Sequence, residues 1–268
     1  MLQTEEDRLL MDQMDERGYS LLPFPQELRA LMLSHIETHL RELGSGYVGA
    51  KKALEMPLEQ VALAVPDEIW SEKMNRAFRM FPKGVAQKIF EWADEKVRKK
   101  VGRTRSDINR VPAEEVKINP KLDKKALVIY WRCVRPGKPD AGRPHRDADF
   151  WVLAFQDGYD PQIPFPFDYI KDSIKIWIPL KGCTPKTTLQ IIPGSHRIEG
   201  ELVVEDTEYG RRPTLSDVWL EEHKNDFISP IELSKGNCIV FDMNLVHKGP
   251  THNNNELRIS AELTLIVQ

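Results

Sequence analysis

His145 and Asp147 stand two residues apart in the run Pro144-His145-Arg146-Asp147, and His247 follows far downstream. In an extended chain, residues i and i+2 project to the same side. An imidazole and a carboxylate would thus leave one strand or strand edge together. Two imidazoles and one carboxylate on one face of a metal leave the remaining positions open, which is the facial triad of non-haem Fe(II) oxygenases. A bare His-x-Asp arises often by chance. Its weight here comes from its place near the start of a β-rich region, with His247 near the end of that region. Asp149 has the same parity as Asp147. A strand rises about 3.3 Å per residue, which carries Asp149 away from a metal at Asp147 and leaves it for polar contact with a substrate.

Arg258 adds a second function to the same region. It begins the last long strand candidate, Leu257–Val267. There Leu257, Ile259, Ala261, Leu263, Leu265 and Val267 face one way, and Arg258, Ser260, Glu262 and Thr264 the other. A guanidinium fork pairs with a carboxylate through two bonds, and Ser260 can add a hydroxyl donor. The bland alternative is an Arg258–Glu262 pair on an exposed strand face. His35 and His39 lie at i, i+4 on a helical stretch, but the glutamate between them is Glu37, so the HExxH spacing is absent. They are read as a solvated helix face, His196 as structural and His252 as a loop residue.

The elements that must hold these groups change character along the chain. The first 115 or so residues read as mostly helical. Gln26–Leu43 carries Leu28, Leu31, Leu33, Ile36, Leu40 and Leu43, and Gly44-Ser45-Gly46 is expected to stop it. A second helical region, Asp67–Val101, should break at Pro82-Lys83-Gly84. From about residue 120, strand signals take over: Ala126–Val134, Phe150–Phe155, Ser173–Leu180, Thr187–Ile192, Ile231–Leu233, Cys238–Phe241 and Leu257–Val267. Short strands separated by turn residues suggest a jelly roll. The expectation is a mainly β, α+β architecture forming one domain over residues 1–268, with 1–115 as helical support and 116–268 as the core carrying the metal site.

Composition is compatible with this. The chain has 268 residues with 38 Lys+Arg against 41 Asp+Glu, a net charge of −3. Near-neutral charge and the lack of zinc-finger or RNA-binding signatures speak against a nucleic-acid partner. No apolar run reaches the ~18 residues of a membrane span, so no membrane partner is expected. Cys133, Cys183 and Cys238 are odd in number and widely spaced. A disulfide framework is therefore not expected, and a reducing cytoplasm is the simpler location.

The segment from about Tyr130 to Ile266 resembles the phytanoyl-CoA dioxygenase-like family of Fe(II)/2-oxoglutarate oxygenases. His145-x-Asp147 and His247 match its iron ligands, and Arg258 matches the arginine that grips the distal carboxylate of 2-oxoglutarate. Ile192-Pro193-Gly194-Ser195-His196 matches its PGSH turn, and Trp177 falls where relatives line the co-substrate pocket. The resemblance implies a double-stranded β-helix with helices packed on one side. It implies Fe(II), 2-oxoglutarate and O2 as cofactor and co-substrates, succinate and CO2 as products, and hydroxylation as the usual outcome. Related halogenases lack the ligand carboxylate, so Asp147 speaks against halogenation. Lys186-Thr187-Thr188 and Gly236-Asn237 depart from the family's usual Asn-Gly and Gly-Asp, which implies altered turn contacts with the metal site kept.

Two rivals are a cupin-like metal protein working without 2-oxoglutarate, against which Arg258 speaks, and a non-catalytic binding relative, against which the intact triad speaks. The substrate is expected to be a small, polar or anionic molecule. Lys96–Arg105 (KVRKKVGRTR) and the cations Arg132, Arg135, Lys138, Arg143 and Arg146 around the metal motif tilt the expectation that way. Pro164–Tyr169 (PFPFDY) is either a lid or a packed loop.

Overall fold

The computed structural model describes residues 5–73, 79–98, 129–138, 143–156, 173–200, 202–207, 210–249 and 256–266. In chain order, these begin with helix α1 (Glu5–Arg17), strand β1 (Tyr19–Pro23) and helices α2 (Gln26–Val48), α3 (Ala50–Glu55), α4 (Leu58–Leu63), α5 (Asp67–Lys73) and α6 (Lys83–Ala93). The β-rich part holds β2 (Tyr130–Val134), α7 (Asp147–Gln156), β3 (Ser173–Lys181), β4 (Gln190–Ile191), β5 (Leu202–Thr207) and β6 (Gly210–Leu215). It ends with α8 (Asp217–Glu222), β7 (Asn237–Asp242), β8 (His247–Lys248) and β9 (Arg258–Ile266).

Of the three sheets among the described residues, one is the antiparallel β5–β6 pair and the other two face each other. The larger is antiparallel with strand order β1-β7-β3-β9-β2. The smaller is built on the β4–β8 pair and widened by two single bridges, His145 to His247 and Ile191 to Ile228. This is the jelly-roll arrangement expected from the sequence. Alternation on the large sheet decides which face meets what. Ile176 and Ile178 of β3, Val240 of β7 and Ile259, Ala261 and Leu263 of β9 pack outward with Met32, Ile36, Leu40, Ile89 and Phe90 of α2 and α6 in one apolar core. The opposite face turns Trp177, Ile239 and Phe241 toward Leu189, Ile191 and Leu245 in a second core between the sheets. Arg258, Ser260 and Thr264 share that inner face and are buried there.

Several elements differ from their sequence signals. α2 runs through Gly44-Ser45-Gly46 to Val48. Gly44 serves packing and not termination, since a Cβ there would lie 2.2 Å from Val61 Cγ1 of α4. The helix ends instead at Gly49, with φ 86°. Phe150–Phe155 is helical and belongs to α7. Asp147 and Asp149 in its first turn suit the positive end of the helix dipole, which a strand reading of the apolar run passes over. Ile231–Leu233 lies in a 3-10 turn, Ile231–Lys235. Thr187–Ile192 contributes only Gln190 and Ile191 as strand, because its first residues form the turn that ties Thr184 to Thr187. β1 lies in the stretch read as mostly helical and completes the edge of the large sheet against β7. The break at Pro82 falls as expected, directly before α6. Among the described residues no helix is long and apolar enough to cross a membrane.

Candidate metal centre

His145 and His247 are opposite partners in an antiparallel bridge, and each donates its amide N–H to the other's carbonyl, at 3.0 and 3.1 Å. Directly opposed residues point to the same side of a sheet. Their rings accordingly stand together, with centroids 4.4 Å apart. The His-x-Asp motif is not a simple strand: His145 is in the bridge and Asp147 opens α7. The Ala148 N–H donates to Met243 O at 2.9 Å, which clamps the start of α7 onto the turn between β7 and β8. The Thr214 hydroxyl of β6 donates to Pro144 O at 3.0 Å, bracing the motif from the other side.

The ligand atoms of His145, Asp147 and His247 all lie within 4.8 Å of one another. His145 Nδ1 is 2.6 Å from Arg143 O, and His247 Nδ1 is 2.9 Å from Leu245 O. A carbonyl only accepts, so each Nδ1 carries the proton and each Nε2 keeps a lone pair. These lone pairs sit beside the carboxylate: His145 Nε2 is 3.9 Å from Asp147 Oδ1, and His247 Nε2 is 3.8 Å from Oδ2. Asp147 Oδ2 is buried without a hydrogen-bond partner. An orphaned carboxylate oxygen facing two imidazole lone pairs is the donor set and geometry that a divalent transition metal fits.

Charge is concentrated around this point. Lys175, on the inner face of β3, places Nζ 3.6 Å from Asp147 Oδ2. Burial alone would raise the Asp147 pKa, but Lys175, His247 and His145 outweigh it and hold the carboxyl below its usual range. Burial and the neighbouring His247 push the His145 imidazole down to about 4, so it stays neutral. Glu262, on β9, would be raised by burial, yet Lys175, Arg132 and Arg79 hold it at about 2. A lysine inside the otherwise apolar run Ile174-Lys175-Ile176-Trp177-Ile178 was the sequence signal for this role, and sequence reasoning missed it.

Arg258 reaches the same cavity, which Trp177, Phe241, His145 and His247 also line. It is 3% exposed. Its Nη1 donates to Thr187 O at 3.2 Å, and its Nε is buried without a partner. Burial lowers its pKa to about 10. The exposed Arg258–Glu262 pair is thereby excluded, since Glu262 pairs with Arg132 at 3.8 Å. The turn that receives Arg258 depends on Gly182, at φ 65°, where a Cβ would lie 2.1 Å from Leu257 O. The departure at Lys186-Thr187-Thr188 therefore supplies the carbonyl that tethers the arginine. Ser260 is buried on the same face, one alternation further along β9.

The remaining expected residues separate clearly. Asp149 turns to Arg146, 2.8 Å away, and not to the triad. Among the cations around the motif, Arg135 is buried against Asp67, Val65 and Trp70. Lys138 also pairs with Asp67, and Arg143 pairs with Glu205 and Asp217. Arg132 alone of the five lines the cavity. In the PGSH turn, Ser195 is fully buried: its hydroxyl donates to Ile192 O at 2.7 Å and accepts from Val246 N–H at 2.9 Å, next to His247. His196 contacts Asp15 O at 3.2 Å. The three cysteines are free. His252, Pro164–Tyr169 and residues 99–105 of the basic run lie outside the described residues.

Comparison with protein families matches residues 69–260 to phytanoyl-CoA dioxygenase. Among solved structures, the chain is similar to a non-haem monooxygenase, ThoJ, in its apo form. The two share 16% identity over 96% of this chain and 77% of that one, with a TM-score of 0.50. It is also similar to EvdO2 from Micromonospora carbonacea var. aurantiaca, determined in complex with 2-oxoglutarate. That match has 14% identity over 100% of this chain and 92% of the other, with a TM-score of 0.50. At these identities the likeness is one of fold. No curated protein matches the chain.

Proposed function

The chain belongs to the phytanoyl-CoA dioxygenase family, and on that premise we propose that it is a non-haem Fe(II)- and 2-oxoglutarate-dependent oxygenase. Its substrate is a polar or anionic small molecule, and hydroxylation is the outcome. The observation that carries this reading is the grouping of His145, Asp147 and His247 within 4.8 Å of one another, with the buried Arg258 on the cavity that both histidines line. His145, Asp147 and His247 hold the iron. When bound, iron supplies the redox chemistry that couples O2 to oxidation of 2-oxoglutarate, with release of succinate and CO2, and of the substrate.

The chain's own contribution is positioning. The carbonyls of Arg143 and Leu245 fix both imidazoles with Nε2 toward the metal. Lys175 faces the free oxygen of Asp147 and keeps that carboxyl ionised. Arg258 offers a desolvated guanidinium to the distal carboxylate of 2-oxoglutarate, where a charge-assisted pair is strong. Ser260 supports that end, and Trp177 with Phe241 forms the apolar wall that keeps water from the reacting face.

Succinate formation by Fe(II)-reconstituted protein tests the reading. His145→Ala, Asp147→Ala and His247→Ala should each lose metal and turnover while the circular dichroism stays unchanged. Full activity in any of the three contradicts the ligand set.

A further inference from the structure

We infer that Arg132 forms a second carboxylate-binding position in the cavity, separate from Arg258 and beside His145. The inference deepens the oxygenase reading and rests on it for the identity of the first carboxylate.

Of the cations surrounding the metal motif, Arg132 is the one that is not committed elsewhere. Arg135, Lys138, Arg143 and Arg146 are each within hydrogen-bonding or ion-pair distance of a carboxylate away from the cavity or on its rim. Arg132 lines the cavity itself with His145, Arg258 and Glu262, and its side chain is 34% exposed. A ligand can therefore reach it. Among the described residues its guanidinium has one anionic neighbour, Glu262, at 3.8 Å, too far for a hydrogen bond. Glu262 does not neutralise it alone, because the same carboxylate answers Lys175 and Arg79 as well.

The register fixes where the second position lies. Arg132 on β2 is opposite Ser260 of β9, and Arg258 is opposite Val134. Arg132 and Arg258 are therefore diagonal neighbours on one inner face, with backbones roughly 7–8 Å apart. Their guanidiniums feel each other, and the charge of Arg132 also reaches His145. Arg258 sits deep under Thr187, whereas Arg132 sits on the His145 side, toward the metal. Three cations, Arg132, Lys175 and Arg258, face two carboxylates, Asp147 and Glu262. A divalent metal makes that excess larger. That excess favours a carboxylate on the metal side in addition to the one at Arg258.

Such a carboxylate has two sources: the one adjacent to the keto group of 2-oxoglutarate, or an acidic group on the oxidised substrate. Two measurements on the full chain loaded with Co(II) separate them. The first is the affinity for 2-oxoglutarate and for pyruvate, which keeps the keto acid end and lacks the distal carboxylate. The second is the metal-induced relaxation of acetate methyl protons in protein saturated with 2-oxoglutarate.

If Arg132 holds the keto acid end, Arg132→Gln weakens both keto acids by tenfold or more, while Arg258→Met weakens only 2-oxoglutarate. If it holds the substrate's acid, Arg132→Gln leaves keto acid binding unchanged and abolishes the acetate relaxation. Either result supports the position and names its source, and Arg132→Lys should restore part of the lost effect. Wild-type keto acid affinities together with wild-type acetate relaxation in Arg132→Gln overturn the inference. Failure of the wild-type protein to bind 2-oxoglutarate contradicts the oxygenase reading instead, and acetate relaxation alone then decides for or against Arg132.

Discussion

Replacing Arg258 by Met should move stability and co-substrate affinity in opposite directions. The guanidinium is 3% exposed, spends one bond on Thr187 O and leaves Nε buried without a partner. A buried charge lacking its counter-ion costs free energy, and an apolar replacement of similar volume is commonly neutral or stabilising. We expect the ligand-free Arg258→Met protein to gain about 1 kcal/mol, a rise of roughly 2–4 °C in Tm for a chain of this size. Binding should change the other way. Hydrogen bonds to charged groups contribute about 1.5–3 kcal/mol each, and a bidentate pair supplies two. Allowing for water that solvates the abandoned carboxylate, a loss of about 3 kcal/mol corresponds to roughly 150-fold weaker 2-oxoglutarate binding. Arg258→Lys keeps the charge without the fork, so its affinity should fall between the two. Calorimetric titration of Co(II)-loaded protein, with thermal melts of each variant, reads both effects. Unchanged 2-oxoglutarate affinity in Arg258→Met would refute the assignment, whatever happens to Tm.

Lys175→Met should shift the onset of metal binding to higher pH, because Asp147 loses the cation 3.6 Å from Oδ2 that keeps its carboxyl ionised. Competitive chelator titration across pH measures this, and Lys175→Arg should recover much of it. Ser195→Ala removes a fully buried hydroxyl and orphans the Val246 N–H, which should lower stability by about 1–3 kcal/mol in urea melts. For His145 the sign follows from its depressed pKa. The folded imidazole stays neutral to about 4, whereas the unfolded one takes a proton near 6.5. Its contribution to metal-free stability is complete above about pH 6.5 and is lost as pH falls toward 4, by roughly 3 kcal/mol. The drop in urea midpoint between pH 7.5 and 4.5 should therefore be smaller in His145→Asn than in the wild type.

The residues that meet at the site were legible because they differ chemically from their surroundings. His145, Asp147, His247 and Arg258 interrupt apolar or turn sequence at spacings with a mechanical meaning; the structure brings the first three within 4.8 Å of one another and puts Arg258 on the cavity that both histidines line. Alternation along Leu257–Val267 gave the inner and outer faces of β9 directly, since one strand buried on both sides still sorts polar from apolar. Local geometry was harder to read. Asp-Phe-Trp-Val-Leu-Ala-Phe suits a strand by propensity, yet it lies in α7, with Asp147 and Asp149 in the first turn, and tertiary context overrides such preferences. Gly44 looked like a stop signal, and only the approach of Val61 reveals it as a packing residue. The β5–β6 hairpin contains Glu205, Asp206, Arg211, Arg212 and Pro213, and β1 is five residues ending in Pro23. Neither has the apolar alternation that marks a strand without knowledge of its partner. Lys175 was visible as a lone cation in an apolar strand but acquires meaning only beside Asp147.

Anaerobic titration of the purified chain with Fe(II) and then 2-oxoglutarate tests the central claim most directly. Chelation of iron by a keto acid produces a weak visible charge-transfer band. The account predicts a band that requires both additions, is absent in His247→Ala, and in Arg258→Met forms only at much higher 2-oxoglutarate. A folded, metal-loaded wild-type protein that gives no band on saturation with 2-oxoglutarate would contradict it.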